Sequence, residues 1–136
     1  MSSPARALQE AVFAALAADA PLTGLIGAGR VHDGPPLNAA APYVHLGEVT
    51  ARDWSTSTEG GAEIVFAVVA WSRLPGRSEA LAVADRVRAV LHDAPLVLAG
   101  HRLVNLRHLA TETARAEKPD GRRAVVRFRA AVEPGS

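Results

Sequence analysis

Residues 62–95 read AEIVFAVVAWSRLPGRSEALAVADRVRAVLHDAP, and the fold is decided here. The first ten residues are apolar on both parities. Ile64, Phe66 and Val68 form one set, and Val65, Val69 and Trp71 form the other. Such a run belongs in the middle of a sheet covered on both sides. In a small chain with few helices, a second subunit can supply one of the covers. Ser72-Arg73-Leu74 leaves the strand, and Pro75-Gly76 sets a turn: Pro fixes φ at its second position and Gly accepts positive φ at its third. Ser78 is expected to cap the helix that follows, with Glu79 near its positive end. Ala80, Val83, Ala84, Val87, Val90 and Leu91 make the buried stripe. Glu79, Asp85, Arg86, Arg88 and His92 make the wet one, and Pro95 closes the unit.

A glycine between strand and helix can also mark a phosphate loop or a nucleophile elbow. A phosphate loop needs several converging glycine amides and a Lys followed by Ser or Thr. RLPGRSE has one Gly and no Lys. The elbow needs Gly-x-Ser-x-Gly, and here Ala80 stands in place of the second Gly. The stretch is a structural joint.

Upstream, Ser3 and Pro4 start a helix, and Leu8, Val12, Ala15 and Leu16 share one of its faces. Asp19-Ala20-Pro21 ends it. PLTGLIGAG is expected to give one helical turn and then a loop. Val31 pairs briefly, and Asp33–Pro42 is loop. PYVHLGEVTA alternates: Val44 and Leu46 point one way, Tyr43, His45 and Gly47 the other. A polar connector, Ala51–Gly61, joins this strand to the apolar one. It is longer than a tight hairpin needs, and it carries Trp54. Downstream, Leu103, Asn105, Arg107 and Leu109 alternate with Val104, Leu106 and His108. EKPDG is a turn signal. In RRAVVRFRAAV, Val126, Phe128, Ala130 and Val132 face in, and Arg127 and Arg129 face out. The expectation is one α+β domain over residues 1–136: a mixed, mostly antiparallel sheet of four or five strands on two helices, residues 4–18 and 78–92.

Composition bounds the function. Apolar residues make up 49 % of the chain and charged residues 21 %, which is globular. The absence of Cys excludes disulfides and thiolate metal sites and fits a reducing cytoplasm. Arg6, Gln9 and Glu10 interrupt the first apolar stretch, so no signal peptide is expected. No apolar run approaches the roughly 20 residues of a membrane-spanning helix. Charge is uneven: residues 1–100 hold seven Arg and ten acidic residues, and residues 101–136 hold seven Arg, one Lys and four acidic residues. The basic third is either a solvated strand face or a surface for nucleic acid or an acidic partner.

No catalytic constellation emerges. The five histidines, His32, His45, His92, His101 and His108, form no metal motif, although His45 with His101 or His108 could meet if their strands were neighbours. Asp33, Glu48, Asp53, Glu59 and Glu63 show no acid–base pairing. GLIGAGR is not placed as a dinucleotide fingerprint, and the few aromatics do not interleave with arginines as a stacking platform requires. The sequence points to no enzyme, no cofactor and no metal.

The ordered set LQEAVFAALAADAPLTGLIG, RVHDGPP, APYVHLGE, Trp54, VVAWSRLPGRSEALAVADRVRAVLHDAPLVLAGHRLVNLR and RFRA resembles the tail terminator, or tail-completion, proteins of long-tailed phages. The likeness is strongest to the gene transfer agent branch, formerly a domain of unknown function. It covers nearly the whole chain and is thinnest over 111–123. It implies structural work: a six-membered ring at the head-proximal end of the tail tube, which stops tube growth and meets the head-completion, or stopper, protein. It further implies cytoplasmic assembly, release within a phage-like particle, and DNA passing through the ring without base readout. On this reading Arg52, Asp53, Trp54, Glu59, Trp71 and Arg73 are candidates for subunit or partner contacts. Arg127 and Arg129 are candidates for the lumen or an acidic partner. The alternative is a monomeric module binding a small ligand or a peptide.

Overall fold

The computed structural model describes residues 3–37, 39–53, 60–74, 76–116 and 121–135. Eight elements follow in order: α1 (Pro4–Ala18), α2 (Ala20–Ile26), β1 (Val31–His32), β2 (Tyr43–Asp53), β3 (Ala62–Ser72), α3 (Ser78–Leu91), β4 (His101–Ala116) and β5 (Gly121–Pro134). The strands form one five-stranded sheet in the order β1-β2-β3-β5-β4. Only β1 on β2 is parallel; the other three pairings are antiparallel. The expected α+β class, with β3 in the middle of the sheet, is what the structure has.

The helices lie on one face only. Leu8, Val12 and Leu16 of α1 and Val83, Val87 and Leu91 of α3 pack into a single core with Val44, Ile64, Val68, Val126, Phe128 and Val132 from the sheet. At its centre Phe66 stacks on Phe128 with ring centroids 5.3 Å apart, and His108 meets Phe128 edge-on at 5.8 Å. The inward set of β3 is therefore as expected. The two-sided cover is not: among the described residues no helix packs on the face that carries Val65, Val69 and Trp71.

Local rules set the helix ends. The Ser3 hydroxyl accepts the Arg6 N–H at 3.2 Å, and Pro4 fills the first helical position. Asp19 ends α1 and starts α2 as well: its carboxylate accepts the Leu22 N–H at 3.0 Å. That second cap turns the expected single turn into a seven-residue helix. The same carboxylate takes two bonds of 2.8 Å from Arg86 of α3, which pins the α1–α2 corner to α3. Arg86 holds the Asp19 carboxyl below its ordinary value.

Ser78 does not cap α3. It is already helical, and Arg77 occupies the cap position with helical dihedrals and makes no side-chain cap hydrogen bond. Buried Ser72 anchors this end instead. Its hydroxyl donates to Glu79 at 2.7 Å and accepts the Leu74 N–H at 3.1 Å. Pro75, half of the expected turn, lies outside the described residues. Helix α3 stops at Leu91, with His92 as its extended C-cap, one residue short of the expected end.

The strands are longer than the pattern suggested. β2 continues through Ala51, Arg52 and Asp53, because these residues pair with Ile64, Glu63 and Ala62. The connector shortens to residues 54–61. In β4 the simple alternation fails at two bulges, between Leu103 and Asn105 and between His108 and Ala110. Val104 and Leu109 are the extra residues. Each bulge flips the parity, so both side chains stand half-exposed while Leu106 goes to the core. Gly121 begins β5 at φ 151°, where an added Cβ would lie 2.0 Å from the Ser72 carbonyl oxygen.

Candidate assembly surface

The uncovered face is built by alternate residues of four strands. On β3 these are Glu63, Val65, Ala67, Val69 and Trp71. Opposite them on β5 stand Ala131, Arg129, Arg127, Val125 and Arg123. Tyr43, His45, Thr50 and Arg52 of β2 and Arg107 and Glu112 of β4 complete the face. Strand pairing fixes these positions, since residues two apart share a side.

An aromatic cluster occupies the end of this face where β3 finishes. Tyr43 and Trp71 are stacked 6.1 Å apart, His45 and Trp71 6.3 Å apart, and His32 meets Tyr43 edge-on. The Arg123 guanidinium carbon lies 5.9 Å from the Trp71 ring centroid. The Trp71 Nε1–H donates to His45 Nε2 at 2.9 Å. An indole only donates, so the His45 ring proton sits on Nδ1, which donates to the Leu46 carbonyl at 3.1 Å. The bond from Trp71 requires neutral imidazole, because protonated Nε2 cannot accept it. Burial lowers the pKa of His45, and nearby His32 pushes the same way. Burial also raises that of Tyr43.

The other end of the face carries charge. Arg129 donates to Glu63 at 2.6 Å, and Arg52 reaches the second oxygen of the same carboxylate at 3.4 Å. The bond from Arg129 holds the Glu63 carboxyl below its ordinary value. Arg127 pairs with Glu112 at 3.7 Å. Five arginines (Arg52, Arg107, Arg123, Arg127 and Arg129) stand against Glu48, Glu63 and Glu112, so the face is mildly positive and laced with ion pairs.

The structure unites some sequence candidates and separates others. Arg52 and Arg129 meet through Glu63. Trp71 lies at the far end of the hairpin from Arg52, since Tyr43 pairs with Trp71 where Arg52 pairs with Glu63. Arg73 is exposed just beyond β3, and Asp53 is exposed at the end of β2. Trp54 and Glu59 lie outside the described residues. Glu63, grouped above with unpaired carboxylates, is a strand residue holding two arginines; its position two residues before Val65 was the signal. His45 belongs to an aromatic cluster, and its strand is separated from β4 by β3 and β5, so it meets neither His101 nor His108. Both its nitrogens are engaged. Among the described residues no group of three or more His, Asp or Glu could hold a metal, and no helix is long and apolar enough to cross a membrane.

Comparison with known proteins gives a consistent picture. The family model described as "Tail completion protein gp17" matches residues 10–133. A chain in the solved "Virion of native gene transfer agent (GTA) particle" is 40 % identical, with a TM-score of 0.88 over 98 % of this chain and 99 % of that one. The gp17 protein of bacteriophage SPP1 shares the fold, with a TM-score of 0.64, 23 % identity, and coverage of 92 % of this chain and 88 % of that one. No curated protein matches.

Proposed function

This chain belongs to the tail completion protein gp17 family, a family of structural virion proteins, and on that premise we propose that it caps a tail tube. In this reading, copies form a ring at the head-proximal end of a gene transfer agent tail. The ring halts polymerisation of the major tail tube protein and presents a surface to the head-completion, or stopper, protein. Six copies are expected. Assembly takes place in the cytoplasm, and the ring leaves the cell within the released particle. The role is structural, without catalysis.

The observation that carries this reading is the 40 % identity across nearly the full length to a chain of a gene transfer agent virion. The uncovered sheet face supports it: a surface of arginine–carboxylate pairs and a packed aromatic cluster suits contact rather than chemistry. Arg127 and Arg129 are proposed to face the lumen or an acidic partner. There their charge offers passing DNA a sequence-independent attraction. Arg52, Asp53, Trp71 and Arg73, together with Trp54 and Glu59 on the connector, are proposed to contact neighbouring subunits or the tube.

Deleting the gene and imaging the particles by electron microscopy tests the role. Tubes of uncontrolled length and tailless heads are expected. Tails of normal length joined to heads would overturn it.

A further inference from the structure

We propose that copies of this chain join head-to-tail by strand addition: the free edge of β2 in one copy pairs antiparallel with the free edge of β4 in the next. The inference rests on the ring reading above and specifies which surfaces close the ring.

The five-stranded sheet is open, so it has two edges. On the β1 side, β1 pairs only with Val44 and His45. From Gly47 to Arg52 no strand lies outside β2 among the described residues, and Glu48, Val49, Thr50 and Arg52 are exposed. On the other side, the turn after α3 blocks the middle of β4. The Asp93 N–H bonds the Leu106 carbonyl at 2.8 Å, and the His108 N–H donates to His92 Nδ1 at 3.0 Å. Beyond that block, residues 109–116 have no outer strand among the described residues. The two free stretches are thus six and eight residues long, counted as 47–52 and 109–116.

Three properties match them. Three antiparallel steps separate β2 from β4, so copies in one orientation present the two strands antiparallel. Through β3 and β5, Thr50 stands level with Arg107 and His45 with Glu112, so a shift of about four residues along the strands brings the two free stretches side by side. Each edge shows an apolar residue, Val49 at 46 % exposure and Leu109 at 51 %. Lastly, natural sheets blunt a long free edge or pair it. The edges are different surfaces on opposite sides of the molecule. Their contact is heterologous, which propagates and closes into a ring where the rotation allows. A two-fold dimer would need one edge to pair with itself.

The native chain has no Cys, so introduced thiols report cleanly. Thr50→Cys and Glu112→Cys put exposed thiols on the same sheet face, one on each edge. Assembled particles of the double variant and of each single variant are treated with a flexible bifunctional thiol reagent. The proposal expects a ladder of covalent multimers from the double variant and monomers from each single one. Dimers from Thr50→Cys alone would mean that β2 pairs with itself, and would overturn it. Particles that contain the chain at the head–tail joint but give no ladder would overturn the edge pairing and leave the tail-completion reading standing. Absence of the chain from that joint would overturn both. Hydrogen exchange gives an independent readout: those amides of residues 47–52 that point away from β3 should be unprotected in the monomer and protected in the assembly, and unchanged exchange would contradict the pairing.

Discussion

Truncating either ring of the central phenylalanine pair destabilises the chain, and the structure ranks the two losses. Phe128 is fully buried, between Phe66 and the edge of His108. Phe66 is 7 % exposed and lines a narrow opening under α1 with Leu8, Val12 and Val49. Losing a buried Phe side chain costs about 3–5 kcal/mol, and the value depends on how far the site collapses or fills. Water or a shift of α1 can relieve the gap at Phe66, so Phe66→Ala should fall near 3 kcal/mol on this scale. The Phe128 gap is enclosed, so Phe128→Ala should fall near 4–5 kcal/mol. With a urea slope of about 2 kcal/mol/M, the midpoint drops by roughly 1.5 M for the first and more than 2 M for the second. Stacking adds about 0.5–1.5 kcal/mol that only the pair possesses, so the double variant should lose less than the sum by about that amount. Urea unfolding followed by tryptophan fluorescence measures all three. A near-neutral Phe66→Ala, or equal losses that add fully, would refute the packing described for the sheet centre.

Acidification is a second perturbation. His45 is held neutral in the fold, so its contribution is fully present above its unfolded pKa near 6.5 and is lost as pH falls through the lowered folded value. Melting from pH 7 to 5 should show a steeper decline in the native chain than in His45→Gln; equal slopes would show that the bond to Trp71 does not matter. Gly121→Ala drives a Cβ into the Ser72 carbonyl and should cost about 2 kcal/mol or more, read as a fall in Tm; an unchanged Tm would contradict the register of β3 and β5. Arg127→Gln with Arg129→Gln should leave Tm close to native, as surface ion pairs contribute little, while lowering particle yield or DNA delivery. Gln is preferred to Glu because a carboxylate at position 129 would stand against Glu63. Normal titres would remove the proposed lumen or partner role of these arginines.

What the sequence revealed was what periodicity encodes. Alternation in 124–132 separated Phe128 from Arg127 and Arg129, and the two-sided apolar run marked β3 as central. Helix stripes located α1 and α3 almost to the residue. What it hid depends on distant partners. Ser78 had the right chemistry for a cap, but buried Ser72 took Glu79 and the cap position fell to Arg77. The bulges at Val104 and Leu109 are set by pairing with β5, and no local pattern announces them. Asp19 serves two helices and Arg86 at once, and only the tertiary fold brings α3 to it. The aromatic cluster was missed for the same reason: Tyr43 and Trp71 are far apart in sequence and meet through antiparallel register. No helix among the described residues supplies the second cover expected over β3, and the proposed assembly is where it would be sought.

The most direct measurement is a cryo-electron microscopy reconstruction of the head–tail joint of assembled particles, with this chain located and its copies counted. A single ring between the tail tube and the head-completion protein, with sheets joined β2 to β4 around it, is the expected result. The chain at the distal tail tip, or absent from the joint, would contradict its role as the cap of the tail.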